Sequence, residues 1–142
     1  MNKISVSMIM LMVIILFSSL VFSTEPVVEN PSSSKALSVT VLKVQVESRK
    51  ADGKAWDFPS GAPDPYVIVF DGAKAYQTSY RKDTYNAEFN KTFSFETNDL
   101  ANIEVWDKDV DPDDIIGRTG VVLERGNVRL KAGQCIIWIR VE

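Results

Sequence analysis

The chain has 142 residues, with 16 Lys+Arg against 19 Asp+Glu and a formal net charge of −3. That acidic balance argues against nucleic acid as a partner and against adsorption to membranes through a plain polybasic surface. Histidine is absent, which removes Ser–His and Cys–His catalysis and the common zinc sites, and a single cysteine excludes an internal disulfide.

In chain order, Lys3, the apolar run 8–17 and the small residues up to Ser23 read as a secretory signal peptide over 1–23. Ser18 and Ser19 break the run short of the roughly 20 residues a spanning helix needs. The expectation is therefore a secreted, extracellular protein whose mature chain opens at Thr24, with 15 Lys+Arg against 19 Asp+Glu. Residues 24–36 are rich in Pro and Ser, lack periodicity and read as a flexible linker. Residues 37–142 form one domain that must fold on its hydrophobic core alone.

Residues 37–47 alternate as a strand, but the apolar phase set by Leu37, Val39 and Val41 slips before Val44 and Val46. A bulge at Leu42 reconciles the two halves. A long loop with Asp52-Gly53, Pro59 and Ser60-Gly61 follows. Pro65 opens the next strand, through Phe70, and Asp71-Gly72 turns it into a strand from Lys74 to Tyr80. Residues 81–88 read as a polar loop. Phe89, Phe93 and Phe95 mark a strand, and Thr97-Asn98-Asp99 turns it into another ending at Trp106. Further strands are expected over 116–123, 128–130 and 135–141. Eight short strands with frequent turn signals and no helical period predict an all-β, antiparallel, two-sheet sandwich. Cys135, in the apolar run Cys135-Ile136-Ile137-Trp138-Ile139, reads as a buried structural thiol. Asn90-Lys91-Thr92 is a glycosylation sequon that opens a strand.

Between the strands ending at Trp106 and beginning at Ile116, five aspartates fall within eight residues, Asp107 to Asp114. Like charges this close repel, and a bound cation relieves the repulsion. Carboxylates without His or Cys suit a hard ion that takes six to eight oxygens, calcium before magnesium. An EF-hand loop starting at Asp107 fails, because its sixth and twelfth positions are Pro112 and Arg118 instead of Gly and Glu. The competing reading is a solvated acidic hairpin with no ion. The loop before Pro65 adds Asp57 and Asp64. If strand parity brings the two loops to one end, the ions take Asp57, Asp64, Asp107, Asp109 and Asp114, with backbone carbonyls completing the shell.

Taken together, Asp57…Asp64-Pro65-Tyr66-Val67, Phe89-Asn90…Phe93-Ser94-Phe95, and Ile103-Glu104-Val105-Trp106-Asp107-Lys108-Asp109…Asp113-Asp114-Ile115-Ile116-Gly117 resemble a C2 domain, over about residues 37–142. The start at Leu37 is similar to the permuted, type-II strand order, and the Ala55-Trp56-Asp57 segment to perforin-type C2 domains. The resemblance implies an eight-stranded β-sandwich whose apical loops bind two or three calcium ions and dock to anionic or zwitterionic phospholipid. Asp57 and Asp64 match the aspartates of the first calcium loop; Asp107, Asp109 and Asp114 match those of the third. The first spacing is one residue longer than usual and the last one shorter, so Asp113 stands as the alternate to Asp114, with Asp111 a further candidate.

The expected function is a calcium-triggered electrostatic switch on membranes, with Trp56, Phe58 and Val110 as the membrane-contacting side chains. The alternative is a calcium-stabilised scaffold that binds a protein partner and no lipid. No enzymatic activity is expected. A basic patch of Lys74, Arg81 and Lys82 near the third strand is weighed against an ordinary solvated face.

Overall fold

A computed structural model describes residues 36–57, 61–72, 74–96 and 100–142. The expected signal peptide, the linker except Ala36, the loop residue Phe58 and the turn at 97–99 lie outside the described residues. Eight strands follow in order: β1 Leu37–Val46, β2 Pro65–Asp71, β3 Lys74–Gln77, β4 Asn86–Phe95, β5 Leu100–Asp107, β6 Asp114–Val122, β7 Gly126–Ala132 and β8 Cys135–Val141. They form two four-stranded antiparallel sheets, β4-β1-β8-β7 and β3-β2-β5-β6. The expected sandwich is the observed one.

The core sits between the sheets and is built by period-2 alternation. Val39, Val41, Val44 and Val46 of β1, with Ile137 and Ile139 of the adjacent β8, face Val67 and Val69 of β2 and Ile103 and Val105 of β5 within one buried cluster. The phase slip in β1 is a bulge: the register with both β4 and β8 shifts between Val41 and Lys43. Leu42 is the extra residue against β8, so both valine pairs face inward. On the β4 side the compensating residue is Asn90, at φ 49°. The sequon asparagine thus lies at a mid-strand bulge on an edge strand.

Element ends differ from the sequence reading where a side chain substitutes for the ladder. β3 stops at Gln77 because Thr78 turns inward: its hydroxyl accepts the Val67 N–H at 3.0 Å while its own N–H donates to the Val67 carbonyl at 2.9 Å. β4 begins earlier, at Asn86, and β7 extends on both sides of the expected 128–130. β5 runs one residue past Trp106 and includes Asp107.

Strand alternation sends the β1–β2, β3–β4 and β5–β6 loops and the β7–β8 turn to the same end. There β6 and the β7–β8 turn meet backbone to backbone. A Cβ on Gly117 would sit 1.9 Å from the Ala132 carbonyl oxygen, so only glycine fits. Gly133, at φ 51°, lets the turn close over Ile116, whose carbonyl accepts the Gln134 N–H at 3.1 Å. This seam fixes where the acidic β5–β6 loop ends. Cys135 is buried beside it, its thiol 3.0 Å from the Ala132 carbonyl and pushed up to about 12 by burial.

Candidate metal centre

Along β5 the inward positions are Ala101, Ile103, Val105 and Asp107, all 0 % exposed. Parity therefore buries a carboxylate where the strand pattern calls for a hydrophobic side chain. Asp107 Oδ1 accepts the Asp64 backbone N–H at 2.7 Å, and Oδ2 has no hydrogen-bond partner among the described residues. Burial pushes the Asp107 carboxyl up to about 6, against the pull of the Asp64 N–H and with the Asp109 and Asp57 charges adding to the rise.

Two groups of carboxylates converge here. Oxygens of Asp57, Asp107 and Asp109 lie within 4.8 Å of one another, as do oxygens of Asp57, Asp64 and Asp83. Asp57 belongs to both. Its carboxyl is also raised, first by burial and then by the Asp109 charge. The loops are tied to one another by backbone N–H donors: Lys108 N–H to the Asp64 carbonyl at 3.1 Å, and Asp83 N–H to the Asp64 carboxylate Oδ1 at 2.7 Å. Asp57 is held by a bridge to Gly61, whose N–H donates to the Asp57 carbonyl at 3.0 Å.

The structure brings together Asp57, Asp64, Asp107 and Asp109. It keeps Asp113 and Asp114 out of both groups. Asp114, more than half exposed, pairs with Lys50 instead. Asp113 accepts from the Tyr66 hydroxyl at 2.8 Å, from Lys108 Nζ at 2.8 Å and from the Asp109 N–H at 3.2 Å. Those donors hold its carboxyl below the usual range, the Lys108 bond foremost. Burial and the bond to Asp113 push the Tyr66 phenol up to about 12. Asp111 is exposed.

Asp83 is the residue that sequence reading missed. It sits in what reads as a polar loop, beside Lys82, at φ 48°. Strand parity carried one step further, to the β3–β4 loop, puts it at the same end as Asp57 and Asp109.

Of the three membrane-contact candidates, Trp56 is corrected. It is only 5 % exposed, packs in the core cluster and donates its indole N–H to the Glu47 carbonyl at 2.8 Å. An indole whose N–H finds a backbone acceptor while its ring packs in the core gains more by turning inward than by projecting. Val110 is fully exposed, and Phe58 lies outside the described residues. Tyr80, on the β3–β4 loop at this end, is half exposed.

The sequence profile of the C2 domain matches residues 34–137, a span that includes both acidic loops. The chain belongs to the C2 domain family. Synaptotagmin-5 of Arabidopsis thaliana is 34 % identical over 113 residues, covering 68 % of this chain and 19 % of that protein. Extended synaptotagmin-1 of Mus musculus is 31 % identical over 86 residues, covering 58 % of this chain and 8 % of that protein. The chain thus spans less than a fifth of the length of these curated relatives. A solved C2 domain of plant extended synaptotagmin 1 superposes with a TM-score of 0.62 at 20 % identity, covering 75 % of this chain and 91 % of that one. This C2 domain shares the fold of that structure.

Whether these residues fit calcium is a question of donor chemistry. All five clustered side chains are carboxylates, the donors a hard divalent cation takes. A buried carboxylate oxygen without a donor costs on the order of 1–3 kcal/mol, more if charged. The donor set and the orphaned oxygen both fit the cation that C2 domains bind.

Proposed function

We propose that this C2 domain binds calcium through Asp57, Asp64, Asp83, Asp107 and Asp109 and, so loaded, docks to phospholipid membranes. The observation that carries the reading is Asp107: a fully buried carboxylate with one oxygen unpartnered among the described residues, grouped with Asp109 of its own loop and with Asp57 of a loop distant in sequence. When bound, calcium supplies positive charge at the tip and coordination sites for phosphate oxygens. The chain's own part is to hold the oxygens in place, through the Asp64 N–H on Asp107 and the Asp83 N–H on Asp64. Without a cation the tip repels anionic lipid. Val110, and Tyr80 in place of Trp56, project where the interface would meet the loops.

We read the protein as a binding module and not an enzyme, since the chain has no histidine and Cys135 is buried with its thiol protonated. We also read it as secreted, on the apolar run at 8–17 and the small residues before Ser23. Affinity suited to extracellular calcium, a Kd of about 10⁻⁴–10⁻³ M, is then expected. Recovery from the medium with Thr24 as the first residue supports secretion; retention in cells with residues 1–23 attached overturns it.

The docking reading is tested by sedimenting the chain with phosphatidylserine vesicles in calcium and in chelator. Calcium-dependent sedimentation is expected, and equal sedimentation in the two rejects the switch. The burial of Trp56 favours a second reading, because it removes one apolar anchor from the tip: a calcium-stabilised scaffold for a protein partner. That reading predicts a melting temperature raised by calcium with no gain in vesicle binding.

A further inference from the structure

Of the basic patch weighed near the third strand, Arg81 alone lacks an ion pair among the described residues. Lys74 is ion-paired with Glu96, Lys82 lies 4.0 Å from Asp83, and Arg81 donates to the Glu88 carbonyl at 2.7 Å. Three other cations lie together on the outer face of the other sheet. Lys43 of β1 and Arg129 of β7 are the register partners of Trp138 on either side of β8. Lys43 Nζ is 4.5 Å from the Trp138 ring centroid and Arg129 Cζ is 5.6 Å from it. Two residues along β8, Arg140 extends the same face and donates to Asn127 Oδ1 at 3.3 Å. None of these three cations has an ion pair among the described residues. Glu88 stands opposite Lys43 on β4, yet the ammonium turns to the indole.

We propose that this face, centred on Trp138, is a calcium-independent docking surface for anionic phospholipid. Charge complementarity carries the choice of occupant: three uncompensated cations cluster on one sheet of a chain whose net charge is −3. Two cations gather on one half-buried indole, and the ring with Ile136 offers the apolar body that an interface favours. The face also borders the calcium tip. Lys131 and Glu47 pair at its upper margin, and Glu47 carries the carbonyl that anchors Trp56, next to Asp57. Each cation near an anionic surface contributes about fivefold in partitioning. The inference shares with the calcium reading only the class of partner and uses none of its ligands.

The test is sedimentation of the full chain in chelator, at low salt, with phosphatidylserine-containing and with pure phosphatidylcholine vesicles. Binding to the former alone, weakened by added salt, is expected. Lys43→Gln with Arg129→Gln should lower the chelator-resistant partition about 25-fold, and Lys43→Arg with Arg129→Lys should restore it, with unchanged circular dichroism. Asp57→Asn should remove the calcium-dependent increment and leave the chelator-resistant arm within about twofold, so either reading can fail alone. No salt-sensitive binding in chelator, equal binding to phosphatidylcholine, an unaltered double variant, or capture by heparin-like polyanions without vesicle binding each overturns the proposal.

Discussion

Among the described residues two aspartates are buried in this sandwich, at opposite ends. Asp71 closes β2 at 2 % exposure and accepts the Glu96 N–H at 2.9 Å. Asp107 closes β5 at 0 % exposure, also accepts one backbone N–H, and leaves its second oxygen bare among two neighbouring carboxylates. Burial of a carboxylate is therefore not by itself the mark of a metal site. Asp71 ties a turn to the sheet, whereas around Asp107 negative charge accumulates faster than the protein supplies donors. The acidic loop repeats the contrast on a smaller scale. Asp113 and Asp114 have Lys108 and Lys50 as counter-ions, while Asp107 and Asp109 have no ion pair among the described residues.

The sharpest way to break the comparison is to neutralise Asp107. Asp107→Asn should lower calcium affinity on the order of 100-fold, since even outer-shell changes cost 10–100-fold. The calcium-free domain should melt higher, because a buried charge is gone. Calorimetric titration and thermal melts in chelator check both. Asp71→Ala should do the reverse: it strands the Glu96 N–H and destabilises by about 1–3 kcal/mol, with calcium and without it. A calcium-dependent loss would erase the distinction between the two ends.

Acidity sharpens the contrast next. Asp107 sits raised at about 6 in the folded domain against an ordinary value of 3.8, so the folded state holds the extra proton. Its contribution to stability in chelator is present below about pH 4 and is lost as pH rises through 6. Asp57 is raised too and acts in the same sense. Melts in chelator should therefore decline over that window, while calcium reverses the decline. Calcium affinity should be about tenfold weaker at pH 5 than at pH 7.5, because the proton must leave first.

The smallest expected effect concerns Lys50, whose ammonium pairs with Asp114 and feels Asp109 and Asp107 as well. Lys50→Ala should raise calcium affinity about threefold by removing a competing charge, and Asp114→Asn should change it by less than that, as read by titration. A tenfold loss in Asp114→Asn would place that residue among the ligands.

Much of this was legible in the sequence because period-2 alternation carries its own errors. The misfit of Val41 and Val44 located the bulge at Leu42, and the phase of β5 leads to Asp107. Asp57 and Asp64 followed from parity of the loops. Asp83 did not, since its neighbours are polar and nothing local distinguishes a ligand from a solvated turn. Trp56 was misjudged for a related reason: an aromatic beside a ligand reads as a projecting anchor, and only the position of the Glu47 carbonyl decides that it turns inward. Asp114 stands three residues before Gly117, as the resemblance implies for the third aspartate, yet Lys50, 64 positions away in sequence, claims it.

The glycine seam at Gly117 has a consequence for signal transmission. With no side chain between β6 and the β7–β8 turn, a displacement of the acidic loop cannot be absorbed by rotamer changes and passes straight into the Gln134 amide. Occupancy of the tip should therefore be audible on the far side of the sandwich edge, as slowed hydrogen exchange at a residue that touches no ligand.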